Sequence, residues 1–331
     1  MSEPLWIAEA DVVAALSLPE AIEALEKGLA FEAAGTARNM AKTHQIWGGH
    51  HTLHAIGAVV EGANIVGTKT WAHTAGGATP LVTLWNSDTG KLEAIIEAFA
   101  LGQMRTGGIS GVATDRMAAD SADDFAVVGT GKQAITQVVA VAAVRKLKRI
   151  RVFSPTAENR RAFIARLEKL FPAIALVEAA SVEEAVKDAP IVTLVTRARE
   201  PILSARMLAK GTHLNAVGAI TPEREEFSQD VFDRVDAIAV DMVESVKSLS
   251  AEFRKRFGDD EGAWGTVRPL SELVAAKAKR KEGADLTLFK AMGMGLSDLA
   301  LGIEILKRVR ASGGGRPIPQ PKPAQPRLVR T

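Results

Sequence analysis

The sequence predicts an α/β protein, with a doubly wound parallel sheet in its second half and an α+β unit ahead of it. Three observations carry this. From about residue 124, short apolar runs alternate with helix-like stretches. Residues 50–97 instead read as strand after strand, divided by turn signals, with no helix between them. The first run of the alternating part, "FAVVGTGKQAITQVVAVAAV" (125–144), passes through a glycine turn into an Ala/Val-rich helix. Repeated strand–helix–strand units imply parallel strands covered by helices on both faces.

Composition sets the frame. At 331 residues the chain has room for two domains with their own cores. Apolar residues at 47% and charged residues at 24% are ordinary for globular proteins and argue against extended disorder. The net charge of +2 is scattered, so no field advertises a nucleic acid or a membrane as partner. The absence of cysteine excludes disulfides, thiolate catalysis and cysteine-bound zinc. "MSEPLWIAEADVVAAL" carries acids where a signal peptide would carry lysines, and no long uncharged apolar run follows, so a cytoplasmic protein is expected.

Each element has its own reason. In "SLPEAIEALEKGLAFEAAG", Ser17 and Glu20 have capping-box spacing, Ile22, Leu25 and Leu29 share a face, and Gly35 suits the stop. Strands follow in "HTLHAIGAVVEG", "NIVGTKTWAH", "ATPLVTLWNSDTG" and "KLEAIIEA", with Asp88 and Gly90 bracketing a hairpin turn. The parallel strands are "FAVVG", "RIRVFS", "AIALVEA", "PIVTLVT" and "THLNAVGA". Helices "AENRRAFIARLEKL" and "SVEEAVKDA" lie among them, the second led by a capping box of Ser181 and Glu184. "LTLFKAMGMGLSDLALGIEILKRV" reads as a long amphipathic helix broken early by Gly293 and Gly295. The Gly/Pro-rich remainder is expected to be disordered. The expected divisions are 1–118, 119–285, a C-terminal helix at 286–310 and a tail at 311–331.

Gly129, Gly131 and Ala134, with Thr130, Lys132 and Gln133 between them, fit G-x-G-x-x-G/A at a strand-to-helix junction. The first glycine permits the tight turn, the second lets backbone approach a pyrophosphate, and the helix start offers free N–H groups and a positive dipole end. A Rossmann-type dinucleotide site is therefore predicted. An NAD-preferring site places a carboxylate at the end of the second strand, whereas that strand ends here in Ser154, with Arg160 and Arg161 nearby. Nothing there repels a 2′-phosphate, so NAD(P)H is the expected cofactor, leaning to NADPH.

Three cations stand in strand or small-residue settings: Arg38 in "TARNMAK", Lys69 in "VGTKTW" and Arg105 in "LGQMRTGG". A guanidinium beside glycines is what a bidentate carboxylate site looks like. Together "VGTKTWAHTAGGATPLVTLWNSDTGKLEAII", "MRTGG", "VVGTGKQA", "NAVGAITPEREEF" and "FKAMGMGLSDLA" resemble the ornithine cyclodeaminase/μ-crystallin family, in the same order from about residue 15 to 305. The resemblance implies an N-terminal substrate and dimerisation domain completed by the C-terminal helix, a homodimer, and a Rossmann domain supplying NAD(P). It matches Arg38, Lys69 and Arg105 to positions that hold an amino-acid carboxylate and face the reacting carbon. It matches Gln133 to the glutamine of the cofactor loop, and Met292 and Gly293 of "AMGMG" to the segment approaching the nicotinamide. It places His73 in the loop lining the substrate pocket.

One departure matters. Cyclodeaminase members carry an Asp two residues after the glycine of "VGA", where this chain has Ile220. Isoleucine cannot pair with an ammonium or accept a proton, although Glu223 or Glu225 could substitute. Ketimine reduction asks less of the protein: anchor the carboxylate, align the carbon and exclude water. The expected function is therefore NAD(P)H-dependent reduction of a small α-imino acid, such as pyrroline-2-carboxylate, iminosuccinate or the imine of pyruvate, to the L-amino acid. Lys69, its charge weakened by neighbouring cations, and Arg105 are the expected catalytic pair. Two alternatives stay open: ornithine cyclodeaminase, and a non-enzymatic crystallin-like ligand binder. No metal is expected, since His50 and His51 point to opposite faces of a strand and no carboxylate completes a set with His54.

Overall fold

Ser17 opens the first long helix as its spacing predicts: its N–H donates to Glu20 Oε2 at 2.8 Å. The computed structural model describes residues 3–329. β1 (Leu5–Ile7), α1 (Glu9–Ala15) and α2 (Leu18–Ala33) lead into β2 (Ala37–Asn39), β3 (Thr43–Trp47), β4 (His51–Val60), β5 (Ile65–Thr74), β6 (Gly77–Ala78), β7 (Leu81–Asn86) and β8 (Leu92–Glu97). These strands form one sheet, antiparallel from β2 to β8, with β1 added parallel to β8. The predicted stripe of α2, Ile22, Leu25 and Leu29, is buried in the core beneath it.

α3 (Phe99–Met117) crosses to the second half. Its small residues let it pass between α2 and α4 (Ala134–Val144): a Cβ on Gly108 would meet Leu25 Cδ1 at 2.7 Å, and one on Gly107 would meet Thr136 O at 2.6 Å. Arg105 sits one turn before this crossing.

The second sheet carries β9 (Asp124–Val128), β10 (Arg149–Phe153), β11 (Ala175–Glu178), β12 (Ile191–Leu194), β13 (His213–Ala216), β14 (Val235–Val240), β15 (Val267–Pro269) and β16 (Leu286–Lys290). It is parallel throughout, in the order β11-β10-β9-β12-β13-β16-β14-β15. The predicted helices α5 (Ala157–Leu170) and α6 (Val182–Val186) cover it, with the shorter α7 (Val243–Leu249), α8 (Ala251–Phe257), α9 (Glu261–Trp264) and α10 (Leu270–Ala275) between β14 and β16. The doubly wound α/β fold is thus as predicted. Strand order reverses between β10 and β12 on either side of β9, the place where such sheets open a crevice for ligands.

Two expectations need correction. Residues 286–290, read as the start of the last helix, are β16, fully buried on both faces. A short apolar run cannot be told from buried helix by periodicity alone, and its Leu, Thr and Phe suit a central parallel strand. The helix, α11, spans Gly295–Ser312 and returns to the first sheet's core. The tail, expected to be disordered, supplies β17 (Arg316–Pro317), antiparallel to β1. Gly and Pro cannot build a core, but backbone can still pair with the open edge of β1. Ile318 N–H donates to Pro4 O at 2.9 Å, and Gln320 Nε2 to Leu92 O at 2.7 Å.

A buried polar cluster joins α3 to the parallel sheet. His213 bonds Thr287 Oγ1 at 3.0 Å and Asn215 Oδ1 at 3.1 Å, and Asn215 Nδ2 donates to Thr114 Oγ1 at 3.0 Å. Burial holds the imidazole down to about 3 from its ordinary 6.5. A base whose folded pKa is depressed leaves the unfolded chain binding more protons below pH 6.5, so folding stability falls as pH drops from 6.5 toward 3. Urea denaturation across this range should show a loss of a few kcal/mol in the wild type. His213→Asn should be about 2 kcal/mol less stable at pH 7.5, with a shallower acid decline. An unchanged acid slope would assign the loss to other groups.

Candidate active site

A cavity of about 970 Å³ lies at the crevice, with residues of the glycine turn at one end and residues of the first sheet and α3 at the other. Gly129, Thr130, Gly131, Lys132 and Gln133 all line it. The two glycines answer to different constraints. Gly129 has φ +115° and a Cβ there would meet Val195 O at 2.6 Å, so the fold itself demands glycine. Around Gly131 nothing lies within 4 Å of a would-be Cβ. No contact inside the chain calls for glycine at 131, and the room is there for backbone to be approached from the cavity.

The N–H groups of Gly131, Lys132 and Gln133 donate to no other described residue, and Gln133 Oε1 is buried without a partner. Free donors at the start of α4 beside an open cradle fit the pyrophosphate of a dinucleotide. Gly131→Val should therefore leave thermal stability nearly unchanged and weaken NADH and NADPH binding about a hundredfold. Gly129→Ala, by contrast, should cost about 2 kcal/mol or more of stability. Fluorescence titration and urea denaturation read the two effects separately.

Ser154 directly follows β10 and lines the cavity, and among the described residues no carboxylate lines that cavity with it. Arg160 is not free to take a 2′-phosphate. It donates to Ser154 O at 2.7 Å and to Glu178 at 2.9 Å. Arg161 is exposed on α5.

At the other end, Arg105 lines the cavity and its guanidinium makes no hydrogen bond with any described residue; Nε lies 3.3 Å from Asp298 Oδ1. Gly293, at φ +84°, passes so close that a Cβ there would meet Arg105 Nη1 at 3.0 Å. Met292 and Gly293 line the same cavity. Lys69, on β5, is 4% exposed and donates to Asp298 of α11. Its ammonium lies 5.1 Å from the Trp71 ring centroid and shares Asp298 with Arg105, and both Trp71 and Arg105 line the cavity. Its pKa is held down to about 8, first by burial and then by Arg105, against the pull of Asp298. The sequence reasoning named like charge as the cause; loss of water is the larger one.

The structure does not bring Arg38 to this group. Arg38 alternates with buried Ala37 and half-buried Asn39 on β2, so its side chain turns outward and pairs with Glu61 at 2.5 Å. Lys42, four residues on, lines the cavity instead, with no ion pair among the described residues and a pKa lowered by burial and by Arg105. "TARNMAK" holds both cations; Arg38 faces outward on β2, and Lys42 lies past the end of that strand. His73 is also elsewhere. It is exposed near the end of β5, paired across to Thr52 and Ala78, and does not line the cavity. Asp298 carries no local signal of its role, because "GLSDLA" reads as an ordinary helix.

Ile220 lines the cavity. Neither acid offered as its replacement does. Glu223 is exposed and accepts from Thr221 Oγ1 at 2.7 Å, while Glu225 is ion-paired with Lys255. Glu226 turns inward and accepts from the N–H groups of Thr196, Gly218 and Ala219, tying together two of the loops that line the cavity.

This arrangement of glycine turn, lysine and arginine can be compared with known proteins. The family model for "Ornithine cyclodeaminase/mu-crystallin family" matches residues 3–313. This chain belongs to that family. A Delta(1)-pyrroline-2-carboxylate reductase of Bacillus cereus is 28% identical over 240 residues, 72% of this chain and 73% of the relative. The solved structure of Thermococcus litoralis Delta(1)-pyrroline-2-carboxylate reductase with NADH and L-proline is 25% identical, with TM-score 0.87, covering 95% of this chain and all of that one. An archaeal alanine dehydrogenase dimer with bound NAD shares the fold, with TM-score 0.86 at 23% identity over 96% of this chain and 99% of that one. Among the described residues, no helix is long and apolar enough to cross a membrane.

Proposed function

We propose that the protein is an NAD(P)H-dependent oxidoreductase that reduces a small α-imino acid to the L-amino acid. The observation that carries this reading is one cavity joining an open glycine cradle to the largely buried Arg105 guanidinium, whose terminal nitrogens bond no described residue. Gly129 to Gln133, Ser154 and the Met292–Gly293 bend would hold the dinucleotide, which supplies a hydride to the imine carbon when bound.

The other parts of the reaction belong to the chain. Arg105 offers a fork of donors to the substrate carboxylate, with Lys42 as a second positive group. Lys69 holds a proton at Nζ near its point of release, suited to passing it to the imine nitrogen as the C=N bond is reduced. Asp298 keeps that ammonium in place. Ile56, Trp71, Ile109 and Ile220 give the cavity apolar walls, against which an uncharged side chain or ring fits.

Purified protein should consume NADH or NADPH with pyrroline-2-carboxylate. Ammonia and proline from ornithine would instead make it a cyclodeaminase, and cofactor binding without turnover of any imino acid would make it a binder. The absence of a carboxylate beside Ser154 favours NADPH, with Arg161 rather than Arg160 free to meet its phosphate. We place a homodimer contact on β3, exposed at all five positions, where Ile46, Trp47 and nearby Leu53 show apolar surface to solvent. Sedimentation reads the assembly.

A further inference from the structure

Asp241 is a buried acid that touches none of the groups assigned above to substrate. It follows β14, is 2% exposed, and lines a neighbouring cleft rather than the 970 Å³ cavity. Its carboxylate accepts from three backbone N–H groups: Met242 at 2.9 Å, Met292 at 3.0 Å and Gly293 at 2.7 Å. Its own N–H donates to Lys290 O at 3.2 Å, at the end of β16.

These bonds converge on the bend that links β16 to α11. The bend carries Met292 and Gly293 along the cavity wall, and Gly293 lies against the Arg105 guanidinium. At φ +84° the bend cannot hold itself by regular secondary structure. On its far side, Leu296 N–H donates to Asn39 Oδ1 at 2.8 Å, and α11 then presents Asp298 to Lys69 and Arg105. Two carboxylates therefore flank Arg105: Asp298 beside its Nε, and Asp241 behind the bend its terminal nitrogens face.

We propose that Asp241 is a positioning residue: it fixes the Met292–Gly293 bend against Arg105 and so sets where the guanidinium holds the substrate's carboxylate. Burial pushes the Asp241 carboxyl up, the bonds from Met292 and Gly293 oppose that, and Arg105 lowers it further. The carboxylate and the bend thus stabilise each other. The kinetic part of this inference rests on the imine-reductase reading; the structural part does not.

Asp241→Asn keeps the shape and one acceptor but sets an NH₂ group against at least one backbone donor. In the full-length protein, hydrogen exchange at the Met292 and Gly293 amides should quicken about a hundredfold, with the amides of 286–290 unchanged. With pyrroline-2-carboxylate as probe, KM should rise about thirtyfold, while the KM for NADH or NADPH moves less than threefold. If the asparagine variant does not fold, Asp241→Ser, which keeps an acceptor without the opposed donor, should show the same split in weaker form. Unchanged exchange at 292 and 293, or equal losses for both substrates, overturns the proposal. If the wild type reduces no imino acid, the functional reading fails by itself, and the exchange measurement still upholds or overturns the hold of Asp241 on the bend.

Discussion

Arg105→Ala is expected to lower kcat/KM for the imino acid about a thousandfold, roughly 4 kcal/mol of lost transition-state binding. Charge-assisted, paired N–H bonds to a carboxylate are strong where water is scarce, and this guanidinium is only 16% exposed at its side chain. Arg105→Lys should recover a minor part, because a point charge lacks the planar fork. Cofactor affinity should stay within threefold, since the residues of the glycine turn are unaltered. Stability should change little: Asp298 keeps its bond from Lys69. Initial rates over both substrates, with nicotinamide fluorescence for cofactor binding, check this. A normal KM for the imino acid in Arg105→Ala would remove the carboxylate anchor from the mechanism.

Lys69 is expected to govern the pH profile. Its pKa of about 8 means that the ammonium form dominates at neutral pH and is lost above it. Reduction needs a proton at nitrogen, so log kcat should be level below about pH 8 and fall by one decade per unit above it. Amine oxidation needs the free amine and should show the opposite limb, rising to a plateau. Lys69→Arg keeps a cation for Asp298 but cannot release a proton in this range. That variant should lose both limbs and about two to three decades of kcat. A profile that survives the substitution would mean another group supplies the proton.

The cofactor turn was legible because its chemistry is local. Strand, glycine spacing and helix start are all contained in residues 125–144. Lys69 and Arg105 were singled out by their settings, and the fold brings them to one carboxylate. Arg38 and His73 fall outside the cavity for different reasons: Arg38 faces outward on β2, whereas His73 shares a face with Lys69 and Trp71 but lies beyond them near the end of β5. Lys42, past the end of β2, lines the cavity where Arg38 does not. The start of the last helix differs, since a five-residue run with Leu286, Leu288 and Phe289 suits a buried strand as well as a helix.

What the sequence determined by itself, then, is what short-range geometry and side-chain alternation can specify: the capping box at Ser17, the antiparallel strands, the parallel sheet and the nucleotide turn. The tertiary structure alone decided the electrostatics. Lys69, Arg105 and Asp298 are separated by 36 and 193 residues along the chain, and only packing α11 onto the first sheet buries them together. Burial then lowers the lysine's pKa and puts a counter-charge beside each cation. No local pattern encodes that, because a pKa follows from the water a group loses and the charges it meets, and both are properties of the assembled interior.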